Sequence, residues 1–212
     1  MKSKNKKYYS ESRQELLKFY PTTLSSLLDV GCSTAEFSSI LKSRSKIEIW
    51  GLELNENAAS IANERIDKVI VGNLNDNIVK LPNDYFDCIA CNDILEHLYE
   101  PEKTLTDLKI KIRNGGMIVS SIPNFLYLPN LLKIVFKREW EYTEEGTLDY
   151  THIRFFTKKS IIKMFNSVNY DVISVEGINE IQGWKWWLLK KITFGFMDEY
   201  GFLQFVCIAK PR

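Results

Sequence analysis

Short apolar runs alternate with segments of helical period along the first part of the chain. Leu24 to Val30 reads as a buried strand, Glu36 to Ser43 as a helix, Ile47 to Leu52 as a second strand and Glu56 to Arg65 as a second helix. Val69 to Val71 is a short third strand and Phe86 to Cys91 a fourth, bounded by polar residues and rich in strand formers. A helix is predicted over Glu102 to Ile112, stopped by Gly115-Gly116, with Met117 to Ile122 as the fifth strand. Ahead of them all, Glu11 to Tyr20 has a helical pattern that Pro21 ends. Strands that alternate with helices need crossover connections. The pattern therefore predicts an α/β fold with a doubly wound, mostly parallel sheet.

The rest of the chain is less regular. Phe125 to Phe136 predicts a helix broken or kinked near Pro129, and Thr157 to Ser167 a helix capped by Thr157. Tyr170 to Val175 and Phe202 to Ala209 complete seven strands, the last expected as an antiparallel C-terminal strand at the edge of the sheet. Between them lies an aromatic stretch with Trp184, Trp186, Trp187, Phe194 and Phe196. No repeat or composition break divides the chain, so residues 1–212 are read as a single domain, with 1–10 as a flexible, lysine-bearing start.

Composition narrows the function classes. The 212 residues are 45% hydrophobic and 26% charged, which is globular usage with enough chain for a sizeable core. A formal net charge of +1 supplies no field to hold a nucleic-acid backbone, so no nucleic-acid partner is expected. Lys2, Lys4, Lys6 and Lys7 form a local cluster, read as solvated tail. No secretory signal is expected from Met1 to Ser10, and no apolar stretch is long enough to span a bilayer; stable membrane insertion is not expected and the address is cytoplasmic. Cys32, Cys88, Cys91 and Cys207 show no disulfide framework. Within a strand, Cys88 and Cys91 point to opposite faces, which argues against zinc and for buried structural thiols.

The richest stretch is Leu27-Leu28-Asp29-Val30-Gly31-Cys32-Ser33-Thr34-Ala35, where a strand runs through a tight turn into a helix. Gly31 allows a ligand close to the backbone, and Glu53, 22 residues further on at the end of the second strand, suits ribose hydroxyls. A dinucleotide site repeats glycine to hold a pyrophosphate. Here Ser33 and Glu36 take those places, and Glu36 would repel it. S-adenosylmethionine carries no phosphate, and its ammonium could be received by Asp29 or a strand-end carbonyl. The residues favour the methyl donor over NAD.

Taken together these motifs resemble the class I S-adenosylmethionine-dependent methyltransferases, over roughly residues 24 to 175. Leu27 to Ser33 is similar to that family's first motif and Gly51-Leu52-Glu53 to its second. Gly72-Asn73-Leu74 falls where the family contacts the adenine amine, Phe86-Asp87-Cys88-Ile89 with Asn92 to Leu98 matches the fourth-strand motif, and Ile112 to Gly116 the turn before the fifth strand. The resemblance implies a Rossmann-like sheet with S-adenosylmethionine as cofactor and S-adenosylhomocysteine as product. Asp29, Gly31, Cys32, Ser33, Glu53, Leu54, Asn73, Leu74, Asn92 and Asp93 are the cofactor-binding candidates it marks. The chain departs from the family at Ser33 and Ala35, often glycine, and at Asn73, often aspartate.

For the chemistry, a hydroxyl acceptor must lose its proton, a task for histidine. Only His97 and His152 are present. Asp93 and His97 would pair at i, i+4 on a helical turn. The alternative reading makes His97 a loop brace, and Glu96 with His97 offers too few ligands for a metal site. His152 lies in Asp149-Tyr150-Thr151-His152-Ile153-Arg154-Phe155-Phe156-Thr157, which resembles the D-x-T-H-x-R-F-F-T signature of a methyltransferase subgroup acting in cell-surface glycan and secondary pathways. It is expected over the carboxyl ends of the strands, with His152 as base and Arg154 and Tyr150 as substrate contacts; the structural alternative is an Asp149–Arg154 salt bridge. Segments 125–150 and 179–201 are expected on the acceptor side. The density of rings in the 184–196 segment without regular polar spacing favours burial over the sheet edge or a homodimer contact; an acceptor-side lid or a membrane-touching surface is the alternative. The acceptor implied is a small molecule or glycan, methylated at oxygen. The competing reading is a non-catalytic nucleoside-binding or regulatory domain.

Overall fold

A computed structural model describes residues 12–212. The lysine cluster at positions 2, 4, 6 and 7, the expected flexible start and Glu11 lie outside these described residues. Seven strands form one sheet: β1 (Ser26–Val30), β2 (Glu48–Glu53), β3 (Lys68–Val71), β4 (Phe86–Asn92), β5 (Ile112–Pro123), β6 (Tyr170–Glu180) and β7 (Phe202–Pro211). Their spatial order is β3-β2-β1-β4-β5-β7-β6, parallel from β3 to β5 and antiparallel where β7 pairs with β5 and with β6. The antiparallel pair lies at the edge as expected; within it the C-terminal strand β7 is inner and β6 outer.

Helices α1 (Glu36–Arg44), α2 (Glu56–Asn63), α3 (Leu74–Asn77), α4 (Pro101–Lys109), α5 (Leu128–Leu132), α6 (Lys158–Ser167) and α7 (Trp184–Ile192) connect or flank the strands. Alternation within the strands feeds two cores. Leu28, Ile89, Cys91 and Ile118 face Leu105 and Leu108 of α4 and Ile161, Met164 and Phe165 of α6. Leu27, Ile49, Cys88 and Val119 face Phe37 and Leu41 of α1 and Leu16, Leu17 and Phe19 of the N-terminal turn. Cys88 and Cys91 thus enter opposite cores. All four cysteines are free and buried, and burial pushes their thiols up, that of Cys207 to about 12.

Helix ends follow local chemistry. The Asn55 side chain accepts the Ala58 amide at 3.0 Å, and Thr157 forms a capping box with Ser160, contacts worth about 1 kcal/mol each. Several expectations are corrected. The segment read as a helix from residue 11 to Tyr20 is a 3₁₀ turn over Gln14–Phe19, following Arg13 in the left-handed region at φ 42°. The fourth helix stops at Lys109, and Gly115-Gly116 lie inside β5. Gly115 has φ +82° and a Cβ on Gly116 would sit 2.8 Å from the Asp87 carbonyl oxygen, so the glycines accommodate the register irregularity between β4 and β5. Pro129 sits in the first turn of α5, where its missing N–H costs nothing, and the irregularity comes later as a π-helix over Lys133–Lys137. No helix among the described residues is long and apolar enough to cross a membrane.

Candidate active site

The strand order reverses between β1 and β4, and the loops leaving their carboxyl ends open the crevice where such sheets bind ligands. The loop after β1 is pinned to β2: the amides of Gly31 and Cys32 both donate to the Leu52 carbonyl, at 2.8 and 3.1 Å. Gly31 has φ +74°, and an added Cβ would meet Ile94 Cδ1 at 3.0 Å. Ser33 and Ala35 adopt left-handed backbone, φ 52° and 56°, without being glycine. Such conformations cost an L-residue about 1 kcal/mol or more. The chain holds the loop shape with other contacts.

Glu53 supplies them. Its carboxylate accepts the Ser33 amide at 2.8 Å through one oxygen and the Asn55 amide at 2.8 Å through the other. The expected ribose contact is thus also the clamp that joins the β1 and β2 loops, with lone pairs remaining for hydroxyl donors. Leu54 beside it is 68% exposed, unusual for a leucine flanking a buried carboxylate. Asp29 is buried and accepts the Ser38 hydroxyl at 2.5 Å. Burial pushes its carboxyl up to about 6; the Ser38 hydrogen bond opposes this and nearby Glu53 adds to it. Glu36, the residue that disfavours pyrophosphate, is paired with Arg65 at 2.6 Å.

Asn73 caps α3, accepting the Asn75 amide at 2.9 Å, while Asn77 Nδ2 donates to the Asn73 carbonyl. Asn73 and Leu74 therefore begin a short helix beside the end of β3. Asn92, at the end of β4, accepts the hydroxyl of buried Tyr20 at 3.0 Å. Asp93 has φ 52° and does not pair with His97 as expected. Its carboxylate instead takes Arg13 as an ion pair, the Gln204 amide at 2.7 Å and the Ser121 hydroxyl at 3.1 Å. The reason is local: Leu95–His97 form a 3₁₀ turn, on which i and i+4 no longer align.

The two histidines meet. Their ring centroids lie 4.7 Å apart, edge to face. His152 is buried, with Nδ1 3.1 Å from the Thr147 carbonyl and Nε2 3.8 Å from Glu96 Oε1. His97 Nδ1 lies 3.1 Å from the Thr151 carbonyl. A carbonyl only accepts, so Nδ1 of His97 carries a proton in this arrangement and its Nε2 is the basic nitrogen, whereas His152 has acceptors on both sides, the Thr147 carbonyl and the Glu96 carboxylate. The 149–157 stretch is held over the strand ends by the amides of Ile153 and Arg154, which both donate to the Glu96 carbonyl at 3.0 Å. Glu96, His97 and His152 line a cavity of about 740 Å³ together with Asp93, Arg13 and Gln204.

The Asp149–Arg154 salt bridge offered as the structural alternative does not form. Asp149 accepts the amide and hydroxyl of Thr151 at 2.8 and 2.7 Å, closing the turn that carries His152. Arg154 donates to the Tyr99 carbonyl on an exposed surface, and Tyr150 is exposed as well. Neither lines the cavity, whereas Asp149 does. Arg13, Ser38, Tyr20 and Gln204 join the site without a signal in the sequence, because their partners lie far along the chain or on another element. Glu96 and His97 alone are too few ligands for a metal. His152 corrects that count: one carboxylate oxygen and two imidazole nitrogens lie within 4.8 Å of one another.

Comparison with known proteins gives a consistent picture. Residues 1–175 match a family model described as a methyltransferase domain. A ubiquinone biosynthesis O-methyltransferase of Vibrio atlanticus is 23% identical over 72% of this chain and 66% of its own length, and one of Coxiella burnetii is 25% identical over the same shares. The chain thus spans just under two thirds of the length of these curated relatives. Among solved structures, an S-adenosylmethionine-dependent methyltransferase from Archaeoglobus fulgidus superposes with a TM-score of 0.69 at 19% identity, covering 92% of this chain and 91% of that one.

Proposed function

The chain belongs to the methyltransferase-domain family, and from that footing we propose that it moves a methyl group from S-adenosylmethionine to a hydroxyl oxygen of a small-molecule or glycan-like acceptor. The residues present fit the donor. A phosphate-free ligand suits a loop whose helix begins with Glu36, the buried Asp29 carboxyl suits an ammonium, and Glu53 at the strand end suits a ribose diol. Asp29, Gly31, Cys32 and Ser33, with Asn92 and Asp93 at the end of neighbouring β4, would hold the amino-acid end, Glu53 and Leu54 the ribose, and Asn73 and Leu74 after β3 the adenine side. Bound there, S-adenosylmethionine supplies an electrophilic methyl group on sulfur.

The observation that carries the acceptor half is the Glu96–His152–His97 cluster in the wall of the 740 Å³ cavity, next to Asp93. His152 Nε2 faces Glu96, so His97, the less buried of the two, is the better-placed recipient of the acceptor proton. His152 and Glu96 hold it in place and balance its charge once protonated. A histidine that presents a basic ring nitrogen to the cavity suits removal of a hydroxyl proton. Asp93, fixed by Arg13, Ser121 and Gln204, frames the boundary between donor and acceptor. The names of the relatives support oxygen as the methylated atom, and the resemblance of Asp149 to Thr157 to a glycan-pathway signature supports the acceptor class. Arg154 and Tyr150, outside the cavity wall, serve a large acceptor at its rim. A net charge of +1 supports a small-molecule over a nucleic-acid acceptor, and a cytoplasmic address completes the proposal.

The test is methyl transfer from isotope-labelled donor to fractionated cell extract. Labelled methyl on oxygen in a small-molecule fraction is the expected result. Tight S-adenosylhomocysteine binding with no labelled fraction would favour the binding-domain reading instead.

A further inference from the structure

The exposed face of α7 and the turn after it point to a function outside the active site. From Trp184 to Phe196 the chain reads WKWWLLKKITFGF, with three lysines and no acidic residue. The helix presents its apolar side outward. Trp186 is the inward anchor: its indole donates to Glu180 at 2.9 Å, and it packs so closely on Gly201 that a Cβ there would lie 2.1 Å from the ring. Lys190, one turn on, donates to the same Glu180 carboxylate at 2.7 Å. The opposite face carries Trp184, Trp187, Leu188 and Ile192, all exposed, at the spacing of one helix side. Phe194 then takes left-handed backbone at φ 50° and, with Gly195 at φ 82°, makes a tight turn that leaves Phe194 98% exposed and Phe196 nearly as open. The turn itself is a helix stop, with the Phe194 and Gly195 amides donating to the Lys191 and Lys190 carbonyls at 3.2 and 3.0 Å, and it leaves both phenylalanine rings in water.

Charge identifies the partner. Lys185 Nζ lies 5.9 Å from the Trp184 ring and Lys191 Nζ 5.6 Å from the Trp187 ring, so cations border the exposed indoles. Tryptophan at headgroup depth, apolar side chains beneath it and lysines reaching for phosphate form the pattern of a helix that lies in a membrane interface. We infer that α7 and residues 193–196 dock on a bilayer containing anionic lipid, with the helix lying on the surface. A second copy of the chain fits less well. A two-fold contact through this patch would gather Lys185 and Lys191 of both copies into one interface, with no acid in the segment to neutralise them. Nine residues are far too few to span a bilayer.

Position adds to the case. The segment leaves the end of β6 and returns to the start of β7, where Glu180 pairs with Phe202. Asn179, Leu203 and Gln204, on those same strands, line the large cavity. Docking through α7 therefore brings the cavity edge of the sheet toward the lipid surface. The inference stands without the proposed reaction, and its test reads binding alone.

The purified chain is sedimented with vesicles of phosphatidylcholine alone and of phosphatidylcholine and phosphatidylglycerol in equal parts, at low and high salt. The expected result is binding at least about tenfold stronger to the anionic vesicles, weakened by salt, with a blue shift of tryptophan emission. The pair Trp187→Ser with Phe194→Ser and, separately, the pair Lys185→Glu with Lys191→Glu should each lower binding about tenfold with thermal melting unchanged, since these side chains are exposed. If the aromatic pair fails to fold, the lysine pair decides. Absence of binding to anionic vesicles, or binding indifferent to both pairs, overturns the inference. So does a wild-type dimer in sedimentation velocity that Trp187→Ser converts to monomer, because a second copy would then cover the face.

Discussion

Replacing Glu53 with glutamine isolates the residue on which the donor site turns. In the wild type one carboxylate holds the Ser33 and Asn55 amides, each at 2.8 Å, so it fixes two loops at once. Glutamine keeps the shape and one accepting oxygen but turns the other position into an NH₂ facing an N–H. One charge-assisted bond is lost and one amide is left without its acceptor, a cost of about 1.5–3 kcal/mol. For a domain of this size the melting temperature should fall by roughly 3–10 °C. The ribose contact would be weakened as well, so affinity for S-adenosylhomocysteine should drop about 10- to 100-fold. The control is Asn55→Ala, which removes only the α2 cap. It should cost about 1 kcal/mol of stability and leave affinity nearly unchanged. Calorimetric titration and thermal melting on both variants separate the two roles. If Glu53→Gln melts lower but binds S-adenosylhomocysteine as the wild type does, Glu53 is a loop clamp alone and the ribose assignment fails.

Burial holds the Asp29 carboxyl at about 6 against 3.8 when unfolded, so between about pH 4 and 6 the folded state keeps a proton that the unfolded chain has released. Stability contributed below pH 4 is therefore lost as pH rises through 6, an effect of about 3 kcal/mol. Asp29→Asn should flatten the melting profile across that window and melt higher at pH 7, while binding the donor more weakly; an unchanged profile rejects the assignment. Gly31→Ala, strained at φ +74° and pressed on Ile94, should lose about 1–2 kcal/mol of stability and most cofactor affinity, both measurable by melting with and without S-adenosylhomocysteine. S-Adenosylhomocysteine should raise the melting temperature where NAD does not; stabilisation by NAD alone would reject the donor site.

Much of this could be read from the chain because β1, β4 and the later part of β5 are buried on both faces, β2 nearly so toward its end, and they appear as apolar runs bounded by polar turns. The Asp29–Gly31 turn and Glu53 were legible for the same reason, since both end such runs. What escaped was whatever depends on partners distant in sequence. Arg13 and Gln204 meet at Asp93 from opposite ends of the chain, and His152 reaches Glu96 across more than fifty residues. The Gly115-Gly116 pair was ambiguous, because a helix stop and a bulged strand both favour glycine. Asp93 and His97 failed to pair because a 3₁₀ turn replaced the α-helical turn that their spacing assumed. In α7 six of nine positions are apolar and spread around the helix, and the tertiary anchor of Trp186 on Gly201 decides which side faces water.

The central claim is methyl transfer at the histidine cluster, and one experiment meets it directly. Wild type, His97→Ala and His152→Ala are compared for labelled methyl delivered to the acceptor-bearing extract fraction and, in parallel, for S-adenosylhomocysteine affinity. The account predicts transfer by the wild type and a fall of about 10²- to 10⁴-fold in His97→Ala, with affinity nearly unchanged. It predicts a smaller fall in His152→Ala, which loses the support of the base. Wild-type rates in both variants would contradict it.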